Sequence, residues 1–182
     1  MAHAYLALPL ERSAVTDRWS ADEAITHLYG CHYRSLVRLA TFLVSDAQVA
    51  EEIVQDTFVA VHGAWRRIRE PDRALPYLRR AVVNRSRSIL RRRMVEAKHA
   101  PTPDPDAPSA EYGAMGMEDR REVVQALRAL PTRQRETLVL RYYLDLSEAD
   151  IARTMGISKG AVKSHAARGL NALRQLLERV PA

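Results

Sequence analysis

Residues 147–171, SEADIARTMGISKGAVKSHAARGLN, decide the fold. They hold two short helical patterns joined at Gly156, the spacing a helix-turn-helix needs to set one helix in the major groove of DNA. Ser147 can cap the first helix, with Asp150 three residues on near its positive end, while Ile151, Ala152 and Met155 make the buried stripe. Gly156 ends that helix, Ile157 plugs the corner and Ser158 caps the second helix, on which Val162, Ala166 and Leu170 recur on the inner face. Ala152, Gly156 and Val162 count jointly, because steeply crossing helices need a small residue, a permissive turn and a branched apolar plug. The outer face is left with Lys159, Lys163, Ser164 and Arg168, a cationic surface that a plain helical hairpin does not require.

Bulk properties agree. With 182 residues and 47% hydrophobic composition the chain can bury one modest core or two small ones, and two domains are expected. A net charge of +6 and a pI near 9.8 favour a polyanionic partner. No run of eighteen apolar residues exists, and the N-terminal MAHAYLALPLERS has neither a basic leader nor an apolar stretch long enough for export, so membrane insertion is not expected and a cytoplasmic location is. The single cysteine, Cys31, cannot form an internal disulfide. Its neighbours His27 and His32 are the one hint of a ligand cluster, but His32 shares a stripe with Ile25, Leu28 and Leu36 and is expected to be structural; no metal and no cofactor are expected.

Composition changes once along the chain. Residues 99–117, HAPTPDPDAPSAEYGAMGM, carry Pro101, Pro103, Pro105 and Pro108 with Asp104, Asp106 and Glu111 and no helical stripe, which makes an extended acidic linker between two helical halves. The first half places Ile25, Leu28, Leu36, Leu39 and Leu43 on one face, then Ile53, Val54, Phe58, Val61 and Trp65, then Leu75, Leu78 and Val82, then Ile89 and Leu90. Four helices are predicted there: Ser45 and Asp46 can cap the second, Pro71 and Pro76 bracket the start of the third, and Asn84 with Ser86 offers a break before the fourth. The second half predicts another four-helix unit: Asp119 to Leu130, a helix capped by Thr132 after Pro131, and the helix-turn-helix, whose last helix runs on through Leu173, Leu176 and Leu177. The class is all-α.

Charge is uneven within the first half. Residues 79–93, RRAVVNRSRSILRRR, contain seven arginines and no acid. A solvated helix ordinarily mixes signs to gain pairs three and four residues apart, so an all-arginine face repels itself unless an anion is expected. Arginine's planar donors can also stack on bases, which admits unpaired as well as paired DNA. In the preceding VAEEIVQDTFVAVHGAW, Glu51, Glu52, Gln55 and Asp56 crowd the predicted first turns, where the helix dipole alone would account for acids; the same acidic and apolar face also suits a protein partner.

The chain resembles a sigma-70 family factor of the extracytoplasmic-function (ECF) group, the two-domain initiation subunits of bacterial RNA polymerase, over nearly everything after about residue 20. EEIVQDTFVAVHGAW resembles the family's clamp-binding helix, LPYLRRAVVNRSRSILRRR its reader of the start-proximal (−10) element, and LPTRQRETLVLRYYLDLSEADIARTMGISKGAVKSHAARGLNALR its reader of the upstream (−35) element. The resemblance implies sigma region 2 over 20–98, a linker over 99–117, sigma region 4 over 118–182 and an N-terminal extension over 1–19. It implies that Glu51, Glu52, Gln55 and Asp56 face the β′ clamp of core RNA polymerase, with the β flap a further contact. It implies that the loop around Asn84 captures a flipped base of the melted strand, while Arg79, Arg80, Arg85, Ser86 and Arg87 hold nearby DNA. It places Lys163, Ser164, His165, Ala167 and Arg168 in the major groove, with Ser158 and Lys159 near phosphate; Ala167 and His165 depart from the bulkier and the basic residue common there. An anti-sigma protein is a possible further partner.

Two other classes were open at this level. A free-standing helix-turn-helix regulator would use residues 147–171 but leave 51–56 and 79–93 without a purpose. An enzyme is the weaker rival: GISKGAVKS superficially resembles a phosphate-binding loop but has Ala161 where that loop needs its second glycine, no strand precedes it, and Cys31 lacks a plausible triad. Trapping an unstacked base shifts an equilibrium and needs no catalytic group.

Overall fold

The computed structural model describes residues 20–65, 73–99 and 117–178. All its regular elements are helical: α1 (Ala21–Val44), α2 (Ala47–Ala64), α3 (Ala74–His99), α4 (Met117–Ala129), α5 (Thr132–Leu138), a π turn (Val139–Tyr143), α6 (Glu148–Met155) and α7 (Lys159–Leu177). The linker's interior and the N-terminal extension lie outside the described residues.

Helix α1 begins at a reciprocal cap: the Glu23 N–H donates to Ser20 Oγ, and the Ser20 N–H returns a 2.9 Å bond to the Glu23 carboxylate. It ends at Ser45, whose left-handed backbone (φ 59°) turns the chain at once into α2. Asp46 caps α2 by accepting from the Val49 N–H at 3.1 Å. Leu36, Leu39, Leu43, Ile53, Val54, Phe58 and Val61 are buried between α1 and α2, and Leu78, Val82 and Val83 close the bundle from α3.

Here the structure departs from expectation. Among the described residues the first half has three helices, because α3 runs unbroken through Asn84 and Ser86. A mid-helix asparagine or serine costs only tenths of a kcal/mol in propensity. Burial of Leu78, Val82 and Val83 on one side outweighs that cost. Pro76 is the third residue of α3, in the first turn where a missing N–H is harmless.

The second half keeps four helices. Pro131, with Thr132 as the first helical residue, stands at the N-cap of α5 and no side chain caps it, contrary to the capping role expected of Thr132. Ser147 and Ser158 cap α6 and α7 as expected, accepting from the Asp150 and Ala161 N–H groups at 3.2 Å. Gly156 ends α6 at φ 67°, a conformation that glycine enters without steric penalty. The inner stripe of α7 continues from Val162 and Ala166 through Gly169, while Leu170, expected inside, is 38% exposed. A Cβ at Gly169 would lie 3.2 Å from Gln134 Cβ and from Leu138 Cγ, so α5 and α7 cross closely at this glycine. One buried cluster runs through both halves, from Leu36 to Val162, so the halves are packed together rather than held apart.

Candidate nucleic-acid interface

On α7, Lys159, Lys163, Ser164, Ala167 and Arg168 are exposed on the face opposite Val162 and Ala166, with Ser158 at the N-cap. The Arg168 Nε–H lies back on the Ser164 carbonyl at 3.3 Å, and Lys163 Nζ stands 3.8 Å from the Glu148 carboxylate, whose other oxygen accepts from Arg141 at 2.6 Å. These contacts are at the surface and can be exchanged for phosphate or base edges at little cost. His165 differs: it is half-buried, and its Nδ1 has no protein partner among the described residues. Burial first, then the nearby Arg168 and Arg133, hold its pKa below the ordinary histidine value, so the ring is neutral near neutral pH. His165 thus sits at the edge of this exposed face, near Arg133 and Glu136 of α5.

On α3 the arginine-rich segment is no self-repelling stripe. Arg85 donates to Asp56 of α2 at 2.9 Å, Arg93 to Asp46 at 2.9 Å, and Arg92 pairs with Glu96 at 3.0 Å. Arg87 makes two 2.9 Å bonds to the Glu136 carboxylate of α5, through Nε and Nη2. Arg79 is half-buried; desolvation lowers its pKa, and Asp150 of α6 opposes that. Apart from Glu96, one turn further along α3, the acids come from other elements, which a count along residues 79–93 cannot reveal. Arg80 and Arg91 are exposed and have no ion pair among the described residues.

Asn84, expected in a loop, lies in mid-helix with its side chain exposed, and its Oδ1 accepts from Arg87 at 3.2 Å. Ser86 is buried, and its Oγ has no protein partner among the described residues, so it does not face solvent beside Arg85 and Arg87.

Glu51, Glu52, Gln55 and Asp56 are all exposed. The first turn of α2 holds no acid, so the dipole, which acts within that turn, does not account for them. Val59, 73% exposed, and Tyr29, stacked on Tyr33 at 4.4 Å, extend this face with apolar surface. The sequence reading missed both. A valine one turn past Gln55 was the available signal, but the apolar stripe already had enough members to hide it. Cys31 is exposed, 3.7 Å from His27. His32 is half-buried as expected, its pKa lowered by burial and then by Arg79 and His27. No group of three or more potential metal ligands occurs among the described residues.

Comparison with known proteins fits this geometry. Residues 28–95 match the model of sigma-70 region 2, and residues 120–173 match that of sigma-70 region 4. The chain belongs to the sigma-70 family, ECF group. It is 34% identical over 145 residues to an RNA polymerase sigma-E factor of Streptomyces avermitilis, covering 79% of each chain. It is also 34% identical over 163 residues to the ECF RNA polymerase sigma factor SigM of Mycobacterium tuberculosis, covering 88% of this chain and 79% of that one. In fold it is similar to the sigma factor RpoE solved with the anti-sigma factor NepR from Bartonella quintana, at a TM-score of 0.66 and 23% identity over 86% of this chain and 98% of that one. As an ECF sigma factor the chain is a transcription initiation factor that binds core RNA polymerase and promoter DNA; it is not an enzyme, and the free-standing regulator is not favoured. No helix among the described residues is long and apolar enough to cross a membrane.

Proposed function

We propose that this sigma factor selects promoters by dividing the work between two weak readers on one chain. Lys163, Ser164, Ala167 and Arg168 enter the major groove of the upstream element, with Ser158 and Lys159 on phosphate and His165 orienting the helix from its edge. Arg79, Arg80, Arg85 and Arg87 hold the backbone of the melted start-proximal strand, and Asn84 offers a donor and an acceptor to an exposed base edge. Glu51, Glu52, Gln55 and Asp56, with Val59 beside them, dock on the β′ clamp, and the second half meets the β flap. The protein acts in the cytoplasm, where the polymerase is, and an anti-sigma protein of the kind bound by the RpoE neighbour is a candidate regulator. Each half is too small for tight specific DNA binding, so the polymerase supplies affinity by holding both readers at high effective concentration.

The observation that carries this reading is the placement of two cationic faces on separate helices, α3 and α7, with an exposed acidic face on α2 that helix-end electrostatics does not explain. Run-off transcription with purified core polymerase on a randomised promoter pool tests it. Transcripts from templates sharing two spaced elements are expected; binding of symmetric operator sites by the chain alone as a homodimer would overturn it.

A further inference from the structure

The start-proximal reader and the C-terminal half are joined by a contact that the DNA-binding role does not need. Arg87 of α3 and Glu136 of α5 are 49 residues apart and meet through two parallel bonds of 2.9 Å. The Glu136 side chain is 2% exposed and that of Arg87 19%. Arg133 adds a third bond to Glu136 at 3.4 Å. Eight residues before Arg87, on the same side of α3, Arg79 lies in the field of Asp150, each stabilising the other's charged form, and Val83 between them is fully buried. On the α1 side, the Tyr143 hydroxyl donates to the Ser35 carbonyl at 3.3 Å, and its ring meets Phe42 edge-on at 5.1 Å. Tyr143 ends the π turn, whose extra residue changes the direction of the side chains that follow it.

A guanidinium bound side-on to a carboxylate presents the geometry it would present to a phosphate. We propose that the free chain is latched shut by phosphate mimicry, with Glu136 of the C-terminal half occupying the Arg87 site that a DNA phosphate takes when the two halves separate. This rests on the reading of α3 as a DNA-contacting helix. The latch covers one reader only: the exposed face of α7 stays open to duplex DNA, while Arg87 of α3 is engaged internally. Closure therefore lowers the affinity of the free chain for unpaired DNA by the fraction of molecules that are open.

The test uses the full chain and a fluorescent single-stranded twelve-nucleotide DNA of mixed sequence. Glu136→Gln removes the charge but keeps the size, and Tyr143→Phe loosens the contact from the α1 side without touching any charged group. Both variants should raise the radius of gyration in X-ray scattering and tighten binding of the oligonucleotide, by roughly threefold to tenfold for the open fraction released. Circular dichroism of each variant establishes that it is folded; if Glu136→Gln is not, Tyr143→Phe alone decides. Unchanged dimensions and unchanged affinity in the folded variants would overturn the latch. Arg80→Gln, outside the latch, separates that failure from the other. If it weakens binding while the latch variants do nothing, α3 reads DNA and the latch is wrong. If it leaves binding untouched in the Glu136→Gln background, the reading of α3 itself fails, and the proposal with it.

Discussion

Replacing Gly169 by alanine sets two terms of similar size against each other. Alanine in a helix interior is about 0.8–1.0 kcal/mol more favourable than glycine. At Gly169 the new methyl would stand 3.2 Å from Gln134 Cβ and from two atoms of the buried Leu138. A Cβ cannot swing away without moving its helix, and Leu138 is packed on every side, so the strain falls on the α5–α7 crossing at an overpacking cost of about 1–3 kcal/mol. The net expectation is destabilisation by about 0–2 kcal/mol. Gly30, inside α1 with nothing within 4 Å of its would-be Cβ, supplies the reference, and there the same substitution should stabilise by the full propensity term. Urea unfolding at a common temperature should therefore separate Gly30→Ala from Gly169→Ala by about 1–3 kcal/mol, read as a shift in midpoint at constant slope. Equal stabilisation by both would refute the close crossing. It would also remove the reason for the angle at which α7 presents Lys163 and Arg168.

Arg168→Ala should cost roughly 1–3 kcal/mol at one upstream base position and flatten the preference there in a promoter-variant panel; an equal loss on every sequence would reduce Arg168 to a phosphate contact. The double change Gln55→Ala, Asp56→Ala should weaken capture by core polymerase at unchanged helicity and melting temperature, since the Asp56–Arg85 pair is surface-exposed and contributes little to stability. Loss of helicity alongside capture would make these residues structural. Asp46→Ala should cost about 0.5–2 kcal/mol and Asp46→Asn much less, because asparagine still caps. Burial opposes ionisation of Asp46, but the Val49 N–H and Arg93 outweigh it and hold its pKa below the ordinary aspartate value. Its stabilisation is thus present above about pH 4 and is lost as pH falls through the lowered folded pKa. Asp46→Asn should flatten acid unfolding in that range, and an unchanged acid limb would show that the pair with Arg93 does not form in solution.

The helix-turn-helix was legible because its determinants are local. Ser147, Gly156 and Ser158 act within one turn of their own positions, and Ile151, Met155, Val162 and Ala166 repeat at the helical period. The linker over 99–117 is expected from composition alone, and its interior lies outside the described residues. What failed depended on distant partners. Asn84 reads as a break only when the helix is considered without the α1–α2 surface that holds Val82 and Val83. Leu170 was assigned inside by periodicity, yet the close approach of α5 puts the side-chain-free Gly169 there instead. The arginine segment looked self-repelling because Asp46, Asp56, Glu136 and Asp150 come from other helices and their caps.

Those partners bear on how selectivity arises. A row of unneutralised guanidinium groups would oppose its own helix, and the fold relieves that with carboxylates from α2 and its N-cap, from α5 and from the first turn of α6. On the proposed reading, binding the melted strand then exchanges one anion for another at Arg85 and Arg87 rather than adding new ion pairs. The gain per site is a difference between two charge-assisted bonds, smaller than either one. Binding built from such differences is weak for the free chain and becomes appreciable only where a carrier fixes both halves over the DNA. The same exchange makes wrong sequences easy to release, because each guanidinium that leaves a phosphate has a carboxylate to return to.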